Sequence, residues 1–61
     1  MEETLVASHQ EEIADAEKYE KLASEAPEKY APILRQIAAE ERVHARHLED
    51  ILSDMKESKS E

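Results

Sequence analysis

A chain of 61 residues without glycine has few places to turn, and this one concentrates its helix-breaking chemistry in the stretch SEAPEKYAP. Pro27 and Pro32 each lack a backbone N–H and each restricts the residue before it. Before that break, Glu2 to Glu25 is rich in Glu, Lys and Ala, which favour helix, and the acidic residues at its start suit the positive end of the helix dipole. After the break, a second helix is expected to reach about Met55, with Pro27 opening a short turn and Pro32 opening or kinking that helix. Residues 1–57 read as one two-helix unit and residues 58–61 as a frayed polar tail. A short connection between helices of about 35 Å favours an antiparallel hairpin, so the expected class is all-α.

Such a hairpin has little with which to fill a core of its own. Of its 24 apolar residues nine are alanine, which leaves 15 with real bulk. Domains near ~60 residues are marginal alone, and two helices cover only one face of each other. Self-association as a homodimer is therefore expected, with two hairpins forming a four-helix bundle and higher assembly left open.

Other properties remove whole classes of function. There is no cysteine, which excludes disulfides, thiolate metal sites and a four-cysteine iron centre, so any metal must be held by oxygen and nitrogen. A net charge of −8 repels nucleic-acid phosphates and anionic lipid, and neither a nucleic-acid nor a membrane partner is expected. No apolar run approaches the ~20 residues of a membrane span. The start, MEETLVASHQEE, lacks the basic and long apolar regions of a signal peptide, so the expected location is the cytoplasm.

Advancing ~100° per residue along the second helix gathers Tyr30, Leu34, Ile37, Ala45, Leu48, Leu52 and Met55 on one stripe, with Ile33 and Ile51 at its border. Glu41 falls near the middle of this stripe and His44 within it, while Arg42, Val43, Arg46 and His47 point elsewhere. On the first helix Leu5, Ala16, Tyr19 and Ala23 share a face, flanked by Ile13, and Glu12 lands among them. His9 and Glu20 lie nearer the flank away from Tyr19. Setting Glu12 opposite Glu41 puts the hairpin midpoint between residues 26 and 27 and brings His9 level with His44. A turn centred two residues later shifts this register by about 6 Å.

Burying an ionised carboxylate costs several kcal/mol unless something compensates it. A two-fold dimer would gather Glu12, Glu41 and His44 from each chain, and two divalent cations would neutralise the four carboxylates. Glu-x-x-His on a helix places its side chains on one face about 5–6 Å apart at Cβ, within reach of one cation. Carboxylate oxygen with a single imidazole suits iron or manganese better than structural zinc. Glu-x-x-His alone is a weak signal in so glutamate-rich a chain, and its force comes from lying on the apolar stripe opposite Glu12.

Here the residues resemble a family. A Glu from each of two helices and Glu-x-x-His from the other two is the ligand pattern of ferritin-like di-iron carboxylate proteins, matched by Glu12 and by ERVH at Glu41 to His44 when the chain is doubled. The run EIADAEKYEKLASEA resembles the first metal-binding helix of rubrerythrins and encapsulated ferritins, with Glu12, Tyr19, Leu22 and Ala23 at matching positions. IAAEERVHARHL resembles the second. The resemblance implies a di-iron centre, with manganese or zinc as other occupants, and oxidation of Fe(II) by dioxygen or peroxide. It implies Glu12, Glu41 and His44 as both metal ligands and catalytic residues, and a hydrogen-bonding or redox role for Tyr19, which reads equally well as core packing.

Rubrerythrins have four helices in one chain and usually an added rubredoxin domain; encapsulated ferritins are two-helix chains that complete their site across a dimer and work inside a protein shell. The present chain has the helices of the second kind but no similar shell-targeting segment in MKESKSE. Two other functions fit the residues: a non-catalytic iron or zinc buffer whose metal staples the dimer, and a metal-free helical hairpin that docks to other proteins. Oxygen uptake by the Fe(II)-loaded protein separates the first from an oxidase. A fold unchanged by metal removal and by Glu41→Ala supports the second.

Overall fold

In a computed structural model the chain forms two helices, α1 (Glu2–Glu25) and α2 (Ala31–Ser60), packed side by side as a hairpin 51 Å long. The structure describes residues 1–60, with side chains described through Glu57. No cis peptide or positive φ angle occurs among them, so the reversal is made entirely in ordinary backbone conformations. Ala26 closes α1 in an extended conformation (φ −78°, ψ 157°), the region a residue before proline is pushed into. Its N–H still reaches the Leu22 carbonyl at 2.8 Å. The Pro27 carbonyl then accepts from the Tyr30 N–H at 2.9 Å and the Ala31 N–H at 3.3 Å, and the Leu34 N–H donates to the Tyr30 carbonyl at 3.1 Å to start α2. Pro32 thus occupies the first turn of α2, where a missing N–H leaves no bond unmade, and it opens the helix.

The far end of α2 runs past the expected stop at Met55 to Ser60, consistent with the good helix propensity of Lys and Glu in that segment. Glu61, the last residue of the expected polar tail, lies outside the described residues.

The seam between the helices differs from the expected stripe of large side chains. Its buried residues are all alanines, Ala16 and Ala23 on α1 and Ala31, Ala38 and Ala45 on α2, the most exposed at 7%. They recur every seventh position within each helix, the spacing that keeps one line of contact facing a neighbouring helix. A methyl side chain lets the two backbones come close, since helix separation is set by what stands between them. The bulky residues are displaced to the flanks. Leu5, Ile13, Tyr19, Leu34, Ile37, Leu48, Leu52 and Met55 are half-buried, whereas Tyr30, Ile33 and Ile51 are exposed. Two helices can cover only the line along which they touch, and here alanine fills that line.

The two sides of the seam are unlike. On one, Arg42 grips Glu20 with both arms of its guanidinium, Nε to Oε2 and Nη2 to Oε1 at 2.8 Å each, and His9 Nε2 meets Glu49 Oε2 at 3.1 Å. The Arg42 guanidinium holds the Glu20 carboxyl below its ordinary value. On the other side lie Leu34, Ile37, Leu48 and the candidate ligands, with no partner element over them among the described residues.

Candidate metal centre

Midway along that open side, α1 contributes Glu12 and α2 contributes Glu41 and, one turn on, His44. One ligand atom from each lies within 4.8 Å of the other two. The connection, residues 26–30, centres on Glu28 rather than on the midpoint that sets Glu12 squarely against Glu41. The shift slides Glu12 toward His44, whose Nδ1 is 3.4 Å from Glu12 Oε2, while Glu41 stays in reach one turn away. Side-chain length absorbs the change of register.

Glu12 Oε2 is fully buried and has no hydrogen-bond partner. A carboxylate oxygen without water or a donor is costly, and groups so placed are ordinarily paired or bound to a cation. Beside it, the Glu41 carboxyl is raised above its ordinary value, first through hydrogen bonding with the Glu12 side chain, then through desolvation and the negative charges of Glu12 and Asp15; His44 acts in the opposite direction. One proton held between Glu12 and Glu41 would join them by a hydrogen bond. A divalent cation would relieve the repulsion as a proton does. The donor set, two carboxylates and one imidazole, suits iron, manganese or zinc.

The family comparison bears on the same residues. The rubrerythrin family model matches residues 3–61. The chain belongs to the rubrerythrin family. No curated protein and no solved structure matches it. The rubrerythrin family typically binds iron, and the all-helical hairpin is consistent with half of a ferritin-like bundle. No helix among the described residues is long and apolar enough to cross a membrane.

Several sequence expectations are corrected around this group of residues. His44, placed on the apolar stripe, has a side chain 57% exposed, because α1 covers the alanine seam and leaves the adjoining face open. His9 is not level with His44; the later turn carries it to Glu49. His47 is exposed, off the stripe as its position requires. Tyr19 shares the Glu12 face of α1 two turns nearer the connection, and Lys18 Nζ stands 4.8 Å from its ring centroid. Asp15, whose charge acts on Glu41, follows Glu12 by one helical turn, and that spacing is its only signal in the sequence. Glu20 is committed to Arg42.

Proposed function

We propose that this rubrerythrin-family protein binds a pair of iron ions and oxidises Fe(II) with dioxygen or peroxide, at a centre completed across a homodimer. The observation that carries the reading is the buried, unpartnered Glu12 Oε2 within one cation's reach of Glu41 and His44. The exposure of His44 supports the second half: one hairpin offers three donors on an open face, and a second would add three more and cover it. Manganese or zinc would fit the same donors.

Glu12, Glu41 and His44 would hold the metal, and iron bound there would supply the one-electron redox chemistry that protein side chains lack. The chain's own part is to prepare the donors. Glu12 presents a buried carboxylate oxygen that has no hydrogen bond to give up when a cation binds. Glu41 gives up a proton more reluctantly than an ordinary carboxyl, so loading metal near or below that pH range releases protons. His44 binds through a ring nitrogen in its neutral state, with Nδ1 now turned toward Glu12. Tyr19, by family resemblance, would hydrogen-bond to the centre or exchange electrons with it. The proposal includes a cytoplasmic location, free or inside a protein shell, and leaves room for assembly beyond the dimer.

The test is anaerobic loading with Fe(II), followed by measurement of iron content, native mass and oxygen uptake on mixing with aerated buffer. The reading expects about two iron ions per dimer and oxygen consumption lost in Glu41→Ala. Tyr19→Phe should slow oxidation without reducing iron content. A second reading, the iron or zinc buffer, is favoured by the fact that a single hairpin already brings three donors together. It predicts saturable binding with no oxygen uptake.

A further inference from the structure

The residues on the closed side of the seam answer those on the open side. On α1, Glu12 and Glu20 stand one turn before and one turn after Ala16, which at ~100° per residue puts them about 40° to either side of it. On α2, Glu41 and Arg42 are consecutive and lie between Ala38 and Ala45, so they too fall on opposite sides of the alanine line. Ala16, Ala38 and Ala45 are at most 2% exposed and make the contact between the helices at this level. Glu12 therefore meets Glu41 and His44 across one side of that contact, and Glu20 meets Arg42 across the other.

Neither the connection nor the seam holds the helix faces here. Glu41 lies about 20 Å along α2 from Glu28 at the centre of the turn. Methyl groups present low ridges, and interlocking ridges are what resist one helix rolling against another. The seam sets how far apart the helices stand but not how they are turned. About an alanine pivot, a roll that widens one side narrows the other. A two-pronged guanidinium–carboxylate contact is planar and fixes orientation as well as distance, and here both of its 2.8 Å bonds cross from α2 to α1. Nearly half exposed at both residues, the pair contributes little to stability, so what it supplies is geometry. The other contact on that side, His9 to Glu49, is a single bond to a carboxylate 60% exposed, which leaves the weight on Arg42.

We propose that Arg42 is a positioning residue for the candidate metal centre, its hold on Glu20 fixing the roll of α1 against α2 and with it the gap in which Glu12 meets Glu41 and His44. This rests on the metal-centre reading above and adds how the ligands are spaced from the far side of the seam.

The test titrates the full chain with Co(II), read by visible absorption, at a temperature where circular dichroism shows each variant folded. Arg42→Gln should bind Co(II) about fivefold more weakly, the factor a well-made exposed ion pair is worth, and with an altered spectrum. Exchanging the partners, Arg42→Glu with Glu20→Arg, should restore both. A second readout needs no metal. The chain has no cysteine, so nitroxides can be placed on Glu11→Cys and Glu40→Cys, exposed positions on the two helices. In metal-free protein diluted with unlabelled chain, pulsed dipolar spectroscopy should show their separation broadened by Arg42→Gln and narrowed again by the exchange. Parent-like affinity and separations in Arg42→Gln, with only the melting temperature lowered, would overturn the proposal. So would an exchange that folds yet binds no better than Arg42→Gln. If the exchange does not fold, Glu20→Gln takes its place, and parent-like behaviour of that variant overturns the pairing. A parent chain that binds no Co(II) would overturn the metal-centre reading instead, and the label separations would then decide the roll by themselves.

Discussion

Ala38→Leu tests whether the alanine seam sets the spacing of the metal centre. Ala38 is 2% exposed and lies one turn before Glu41, while its neighbour Ala39 is exposed and supplies a control with the same change in composition. Leucine adds three carbons, and burying them would be worth up to about 2.4 kcal/mol at ~0.8 kcal/mol each if room existed. Room is what the seam lacks. Forcing bulk into a close-packed contact typically destabilises by about 1–3 kcal/mol net, whereas Ala39→Leu should stay within ~0.5 kcal/mol of the parent. The same substitution would push the helices apart, on the order of 1–2 Å across the usual span of helix separations. The candidate donors are already up to 4.8 Å from one another across α1 and α2. A cation at ~2.0–2.2 Å from each donor cannot bridge a much wider gap, so metal affinity should fall by roughly 10–100-fold. Thermal unfolding by circular dichroism and titration with Co(II), followed by its visible absorption, measure both effects. Unchanged affinity together with parent-like stability would show that the seam does not position Glu12 against Glu41 and His44, and the account of the fold given above would fail.

Four further outcomes are expected. In the iron-free protein the raised Glu41 carboxyl holds its proton more tightly folded than unfolded, so its contribution favours the fold below the ordinary carboxylate range and is lost as pH rises through the raised value. Between about pH 4 and pH 7 the stability of Glu41→Gln should therefore change less steeply than that of the parent, and parallel curves would remove the carboxyl pair as the cause. The lowered Glu20 works with the opposite sign, stabilising above the ordinary range and fading as pH falls, and Arg42→Ala should abolish that component in a pH-dependent melting series. Arg42→Ala should also lower Tm most at low ionic strength, with the difference shrinking near ~1 M salt, since the Glu20–Arg42 fork is exposed to solvent; a salt-independent loss would point to packing instead. His9→Ala should leave Co(II) affinity unchanged, because His9 Nε2 is directed at Glu49, and a marked loss would return His9 to the metal centre.

Much of the architecture was legible from very little. Two prolines close together in a glycine-free chain place the break, and helical periodicity puts Glu12, Glu41 and His44 on inward-tending faces. What periodicity cannot supply is the direction of the first neighbour. The apolar faces are broad enough to offer either their alanine line or their bulky line to a partner helix, and hydrophobicity favours the bulky one. Close approach of the backbones selects alanine, and that choice turns His44 outward and leaves the leucines and isoleucines uncovered.

The residues alone thus determine the helices, the break, and which side chains lie in reach of one another along each helix, because these depend on local backbone chemistry and a fixed rise per residue. Tertiary structure decides the register across the helices: Glu12 beside His44, His9 with Glu49, Glu20 held by Arg42. Those pairings depend on how far the turn extends before α2 begins, and a shift of two residues in its centre moves opposing side chains by about 6 Å.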